Sequence, residues 1–514
     1  MVRRMSTVPP YPGSVHDLSA SGGVPPLCVD LDGTLVKSDT LVDSTLALAR
    51  QKPAALLQLP GWLMQGKAAL KRHITANVNL DVVHLPYNQP LLAYLREQYA
   101  AGRPIYLATA ADAALARRVA DHLGIFAGVL ASDGSVNLAG GNKLAAFRER
   151  FGDCFSYIGN ASPDLPLLIH CSQQSANGSE AMVANPHGSL SRSLRSAGVV
   201  PTQRFDDTTH GLKVWMRALR LHQWAKNVLI FVPLLLAHVR GLGPLVGSLI
   251  AFFSFSLCAS ATYIVNDLLD IEADRKHHRK RKRPFASGDL SAITGCMVVG
   301  LFLLISLVLA IALPRVVAAI DPIHALARPL SFLFWLAVYT VSTLAYSLRL
   351  KRVVLLDVIV LSGLYTVRIL AGSAATGVLI SPWLAGFSIF FFLSLAFVKR
   401  FAELESLRQR DAAPANGRGY LIADLEQLRA LGSAAGYVSV VVLTFYISTL
   451  DAANLYSHTV RLWLLVPVML LWISRLWLLA GRNELHEDPV VYAITDKLSL
   501  GMGVAVAAIV LSAL

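Results

Sequence analysis

Charge is scarce in this sequence. Asp, Glu, Lys and Arg make up only 15% of its 514 residues, where soluble domains sit nearer a quarter. A chain built only of soluble domains is therefore excluded. Cysteine is scarce as well. The five present (Cys28, Cys154, Cys171, Cys258 and Cys296) form no CxxC pair and no Cys/His metal spacing. That argues against a disulfide framework and fits a soluble part in a reducing, cytosol-facing compartment. The first 26 residues have no apolar run of the signal-peptide kind, so no signal peptide is expected, and they read as a disordered tail. Internal repeats are not evident either, which weighs against a transporter with a regulatory domain.

What the chain has in quantity is apolar sequence, 54% of it, and the distribution is uneven. Residues 1–225 carry scattered charge. Residues 226–514 hold nine apolar runs, roughly 227–239, 244–265, 293–313, 330–348, 353–371, 383–398, 431–449, 462–480 and 498–514. A bilayer core needs about 20 helical residues, so the second half predicts an all-α polytopic bundle of about nine transmembrane helices. The first run is short and Pro233 interrupts it. Basic residues crowd the loops after the second run (Arg275 to Arg283), the fourth (Arg349, Lys351, Arg352) and the sixth (Lys399, Arg400, Arg408, Arg410). Such loops face the cytoplasm, which places the N-terminal domain there too and the protein in the inner membrane. The net charge of +13 is accounted for by these loops. A lipid bilayer, and no nucleic acid, is the expected partner.

The second run ends in Asn266-Asp267-Leu268-Leu269-Asp270-Ile271-Glu272-Ala273-Asp274-Arg275. On a continuous helix Asp267, Asp270 and Asp274 share one face. Three carboxylates so placed repel one another unless a cation neutralises them, and magnesium takes carboxylate oxygens together with substrate phosphate oxygens. Asn266 adds an amide. The basic run that follows supplies Arg275, Lys280 and Arg283 for the outer oxygens of a metal-held diphosphate. Arg368, inside the fifth run, is expensive to bury and reads as either a substrate-phosphate ligand or part of an internal ion pair. Lys226 reads as a phosphate ligand or an orientation anchor, and Asp357 as a partner for Arg or Lys.

The motif NDxxDxxxDR, followed by His277-His278-Arg279-Lys280-Arg281-Lys282-Arg283-Pro284-Phe285-Ala286-Ser287-Gly288, resembles the signature of the UbiA superfamily of intramembrane prenyltransferases. The resemblance covers the apolar half of the chain. It implies that Asn266, Asp267, Asp270 and Asp274 hold Mg2+ and diphosphate at the mouth of a helical bundle. Quinone-pathway branches carry a second DxxxD motif where this chain reads Phe397-Val398-Lys399-Arg400-Phe401-Ala402-Glu403-Leu404-Glu405. That segment, Arg220-Leu221-His222-Gln223-Trp224-Ala225-Lys226-Asn227-Val228 and Glu487-Asp488-Pro489-Val490 are more similar to the decaprenyl-phosphate phosphoribosyltransferase branch.

In the first half, Leu27 to Leu31 reads as a buried strand running into Asp30-Leu31-Asp32-Gly33-Thr34. A second strand, Pro104 to Ala108, ends at Thr109 after a helical stretch, and further alternation continues to Gly159. This pattern predicts a parallel α/β sheet, with residues 170–210 as the end of the domain and a linker. Asp30 and Asp32 project to one side of an extended segment, one to attack phosphorus and the other to shuttle a proton. The motif resembles the first of the haloacid dehalogenase-type phosphatases. That resemblance implies a Rossmann-like fold with a helical cap, the cap lying in the roughly 75 residues between Thr34 and Thr109. It also implies that Thr109 holds phosphate, Lys143 balances a phosphoaspartate, and Asp30, Asp32, Asn160 and Asp164 surround Mg2+. Asn160 stands where many members have Asp.

The expected organisation is a tail over 1–26, a phosphatase domain over 27–205 and a UbiA-like transmembrane domain over 206–514. The expected activity is Mg2+-dependent transfer of phosphoribosyl from a soluble diphosphate to a polyprenyl phosphate, with the phosphatase domain removing the 5-phosphate. The alternative is prenyl transfer from a polyprenyl diphosphate to an aromatic acceptor.

Overall fold

The computed structural model describes residues 24–132, 138, 140–239, 241–409, 419–485 and 489–514. Most of the expected N-terminal tail lies outside these residues, as do Arg410, Glu487 and Asp488. The chain forms two compact units. One is Met1–Ala218 with Asp267–Met297; the other is Leu219–Asn266 with Val298–Leu514.

The first unit holds a six-stranded parallel sheet. Its strands are β1 (Leu27–Val29), β2 (Ile105–Asp112), β3 (Gly128–Ser132), β4 (Ser156–Gly159), β5 (Ala181–Ala184) and β6 (Gln203–Phe205), in the order β3-β2-β1-β4-β5-β6. Leu27 lies level with Ile105 on one side and Ser156 on the other. Alternation along the strands divides two cores. Leu27, Val29, Ile105, Leu107 and Ile158 pack on one face with Leu91 and Val119. Cys28, Ala108, Tyr157 and Val183 pack on the other with Phe147 and Leu168. Both faces are thus covered, as parallel sheets require. Residues 170–210, expected to be the end of the domain and a linker, complete this sheet with β5, β6 and the helix Gly188–Ser196. Their strands are only three or four residues long, too short to stand out among Gly, Ser and Asn.

Between β1 and β2 come α1 (Thr40–Gln51), two short helical stretches (Pro53–Gln58 and Leu59–Met64), α2 (Lys67–Asn77) and the helix Gln89–Ala100. Asp39 caps α1 by accepting from Leu41 N and Val42 N. Ala47, Leu48, Trp62, Ile74 and Val78 form a small core of their own, so this insertion is a packed helical layer. The chain then runs outward to β3 and returns to β4 beside β1. Crossovers leave β1 in opposite directions at that point, and such a switch opens a crevice at the carboxyl ends of the strands.

The second unit is helical. Among the described residues, seven helices are long and apolar enough to cross a membrane: Leu242–Leu269, Ala292–Ile320, Ser331–Leu348, Leu356–Thr376, Pro382–Arg408, Ile422–Ile447 and Thr459–Gly481. The protein is a multi-pass membrane protein. Of the nine expected runs, the first and last become shorter stretches, Leu221–Leu236 and Lys497–Ala513. In the first, a 3-10 segment ends at Phe231 and Pro233 opens a new short helix, since proline has no N–H to continue the ladder. Among the described residues, two apolar cores are the largest of the bundle. One gathers Tyr365, Phe392, Phe397, Phe401 and Trp472, the other Phe255, Phe332, Tyr339 and Leu364.

Candidate functional site

The crevice of the sheet collects the residues expected of a phosphatase. Asp30 follows β1, Thr109 lies in β2, Lys143 sits in the helix Gly141–Phe151, and Asp164 follows β4. Lys143 Nζ donates to Asp30 Oδ1 at 2.8 Å and to Tyr157 Oη at 2.9 Å, and lies 3.8 Å from Asp164 Oδ1. Tyr157 Oη donates to the same Asp164 oxygen at 2.6 Å. Asp164 Oδ2 accepts from Asn160 N at 3.1 Å and Ala161 N at 3.0 Å. Asp30, Thr109, Lys143, Asn160 and Asp164 are all buried. Burial raises Asp30 to about 6 against the pull of Lys143, and raises Asp32 to about 7, with Asp39 adding to it. Burial also opposes the charge on Lys143, but Asp30 and Asp164 outweigh it and its pKa rises.

Gly33 is fixed by this geometry. Its φ is +74°, and a Cβ there would lie 2.0 Å from Asn160 Nδ2. Only glycine makes the turn and admits the Asn160 side chain. Tyr157 was not singled out in the sequence. Its signal was a polar ring atom in an otherwise apolar strand, Ser156-Tyr157-Ile158-Gly159.

The acidic segment departs from a continuous helix. The first ends at Leu269, Asp270 takes φ −95° and ψ 9°, and α3 (Ile271–Lys276) begins after it. The break separates the three carboxylates expected on one face. Asp267 and Asp274 converge: Arg283 Nη1 donates to Asp267 Oδ1 at 3.0 Å and to Asp274 Oδ2 at 2.6 Å. Asp270 turns elsewhere, its Oδ1 3.7 Å from Arg50 Nη1. Burial raises the pKa of Asp274 in spite of Arg283. Lys280 lies near enough to act on Asp274 electrostatically. Arg275, expected on substrate oxygens, is instead buried against Asp43 at 2.8 Å. Asn266 Oδ1 accepts from Lys351 Nζ at 3.4 Å.

Among the described residues, no three His, Cys, Asp or Glu side chains gather into a group that could enclose a metal ion. Each acidic centre instead pairs its carboxylates with a resident cation, Lys143 in one and Arg283 in the other. A single cationic nitrogen bridging two buried carboxylates marks a place where positive charge is favoured. Asp30 with Asp164, and Asp267 with Asp274, could hold Mg2+ with the remaining oxygens drawn from phosphate and water.

Inside the bundle, Arg368 is buried and donates to Asn227 Oδ1 at 2.8 Å, Tyr339 Oη at 3.2 Å and the Leu364 carbonyl. Its guanidinium lies over the Tyr339 and Tyr365 rings. Lys226 Nζ lies 5.5 Å from the centre of that same Tyr365 ring. Two buried cations thus share one aromatic wall, and among the described residues no carboxylate is a hydrogen-bond partner of Arg368. That arrangement favours an anion. Asn227 carries no assigned role in the sequence reading, although a lone amide in an apolar run is a signal.

Asp357 does find its cation. Arg400 is ion-paired to it and reaches Glu403 at 2.7 Å and Tyr346 Oη at 2.8 Å, while Tyr420 Oη donates to Asp357. Both Asp357 and Arg400 are buried. Asp357→Ala leaves Arg400 to Glu403 and Tyr346, and a loss of about 1.5–3 kcal/mol is expected. Replacing both by Leu and Met is expected to cost less, and thermal unfolding of the two variants in detergent compares them.

Comparison with known proteins places these features in context. The model of the UbiA prenyltransferase family matches residues 227–499. The uncharacterized protein y4nM of Sinorhizobium fredii is 36% identical over 96% of this chain and 92% of its own length. Nodulation protein NoeC of Azorhizobium caulinodans is 34% identical over 56% of this chain and 88% of its own. Decaprenyl-phosphate phosphoribosyltransferase of Mycobacterium tuberculosis is 34% identical over 38% of this chain and 62% of its own.

Proposed function

We propose, from the premise that this chain belongs to the UbiA prenyltransferase family, that it carries out two reactions in sequence on one lipid. In the first, a polyprenyl phosphate oxygen attacks C1 of phosphoribosyl diphosphate, and diphosphate departs with the C1–O bonding pair. In the second, a haloacid dehalogenase-type site removes the 5-phosphate of the lipid-linked ribose. The carrying observation is that two buried acidic centres, Asp30–Lys143–Asp164 and Asp267–Arg283–Asp274, each pair carboxylates with one cation. The similarity to the mycobacterial phosphoribosyltransferase and the Arg400–Glu403 pair at the place of a second Asp-rich motif support a ribosyl donor over a prenyl donor.

The residues divide the work. Arg283, with Lys280 near it, receives charge that develops on the departing diphosphate. Asp267 and Asp274, which share Arg283, would hold Mg2+. Bound Mg2+ would neutralise diphosphate oxygens and so make diphosphate a better leaving group. Arg368 and Lys226 offer a buried place for the anionic head of the lipid acceptor. In the second site Asp30 attacks phosphorus and the ribose 5-oxygen leaves, taking its proton from Asp32. Burial, with Asp39 adding to it, raises the pKa of Asp32, which favours the protonated acid that gives this proton. Asp32 then takes a proton from the water that opens the phosphoaspartate. Thr109 holds the phosphate, Lys143 balances its charge, and Asp30 with Asp164, Asn160 and Asp32 would surround the metal. The N-terminal unit lies in the cytoplasm in this reading.

The test supplies purified full-length protein with Mg2+, polyprenyl phosphate and ribose-labelled phosphoribosyl diphosphate. Label in the lipid phase supports ribosyl transfer. A blank there, together with prenylation of an aromatic acid from polyprenyl diphosphate, overturns it.

A further inference from the structure

The acidic segment of the membrane enzyme belongs to the same compact unit as the α/β sheet, and a set of polar contacts ties it there. Arg275, the residue after Asp274, is the centre. Its Nη1 meets Asp43 Oδ2 of α1 at 2.8 Å, its Nη2 donates to Ser38 Oγ at 3.1 Å, and its Nε donates to Ala286 O at 3.2 Å. Ser38 Oγ donates to the same Asp43 oxygen at 2.6 Å. Asp43 is 1% exposed and Arg275 6%, so the pair is shielded from water and salt.

Other contacts flank it. Lys276 Nζ lies 2.9 Å from Asp81 Oδ2, and the Asp81 amide donates to Glu272 Oε1 at 3.4 Å. Asp270 faces Arg50 of α1, and Thr209 N donates to Asp289 Oδ1 at 3.1 Å. Gly288 has φ +78°, and a Cβ there would lie 2.7 Å from Lys37 Cβ. The segment is therefore gripped along its length, from Asp270 to Asp289.

The grip bears on both centres. On one side, Arg275 follows directly on Asp274, which shares Arg283 with Asp267. On the other, Ser38 and Thr40 line the turn of the phosphatase motif. Thr40 N donates to Asp32 Oδ1 at 2.7 Å, and Gly33 N to Ser38 O at 3.3 Å. A buried ion pair whose partners are far apart in sequence contributes less to net stability than to holding one arrangement.

We infer that Asp43 is a positioning residue for the membrane reaction: through Arg275 it fixes the Asp267–Asp274 pair, so the soluble unit is a working part of the transferase. This rests on the reading of Asp267 and Asp274 as the diphosphate-metal centre. Arg275 then serves the protein's own carboxylate, where the run of acidic and then basic residues suggests substrate oxygens.

Asp43→Asn in the full-length protein tests it, because Asn keeps the shape and removes the charge. Three measurements go together. Amide hydrogen exchange over residues 270–277 reads the grip without any activity. The Mg2+ concentration that half-saturates transfer reads the centre, and outer-shell partners commonly change metal affinity by about 10–100-fold. Hydrolysis of p-nitrophenyl phosphate reports whether the sheet is folded. Expected are exchange faster by about tenfold or more, a half-saturating Mg2+ concentration raised by about tenfold, and hydrolysis within about twofold of wild type. The double variant Asp43→Arg with Arg275→Asp is expected to recover at least half of the lost affinity. Unchanged exchange, or faster exchange with an unchanged Mg2+ requirement, overturns the inference. If Asp43→Asn also loses hydrolysis, the more exposed Asp81→Asn replaces it. A threefold rise in half-saturating Mg2+ is then expected, and no rise overturns the inference. If wild type transfers a prenyl group instead of ribosyl, the ribosyl reading fails alone, and the same comparison is made on prenyl transfer.

Discussion

Asp267→Asn is expected to lower transfer by about a hundredfold or more, the scale of losing one electrostatic partner of transition-state charge. Asn preserves the shape, so the effect reads charge. Asp267 is buried and shares Arg283 Nη1 with Asp274. Without its charge the centre keeps one carboxylate for Arg283 and an incoming cation together. Initial rates at several Mg2+ concentrations measure the loss, with p-nitrophenyl phosphate hydrolysis as the control for folding. Asp270→Asn belongs in the same series. Its carboxylate turns to Arg50 at 3.7 Å, so an equal loss there would show that it joins the centre once substrate is bound. Near-normal turnover in both variants contradicts the role assigned to this segment.

Asp30→Asn is expected to reduce phosphomonoester hydrolysis by about a thousandfold or more, as removal of a covalent nucleophile does. An amide cannot form the phosphoryl intermediate at a useful rate. The amide also changes what Lys143 meets at 2.8 Å, but Asp164 and Tyr157 remain beside that lysine, so the fold is expected to hold. Transfer is expected to stay within about twofold, because the Asp267 centre uses other carboxylates. Parallel assays of both activities on one preparation check this. An equal loss of both in folded protein contradicts the separation of the two chemistries.

Much of this was legible in the sequence. Parallel strands with opposed cores follow from Leu27-Cys28-Val29, and the length of the apolar runs gave the membrane bundle. What escaped was decided by contacts between distant residues. The acidic positions suggested one helical face, but the helix stops at Leu269 and sends Asp270 aside. Arg275 suited a diphosphate until Asp43, more than two hundred residues earlier, claimed it. No local pattern announces such a pair. β5 and β6 escaped because strands of three or four residues carry too little periodicity to register.

One measurement bears most directly on the claim that two chemistries act in turn on one lipid. Wild type and Asp30→Asn are given the same polyprenyl phosphate, Mg2+ and labelled phosphoribosyl diphosphate, and the masses of their lipid products are compared. The soluble unit is part of the same chain, so the new phosphomonoester meets Asp30 at an effective concentration that tethering raises, often to millimolar. The account predicts that wild type yields lipid-linked ribose and that Asp30→Asn accumulates a species heavier by one phosphate. Identical product masses from the two proteins would contradict it.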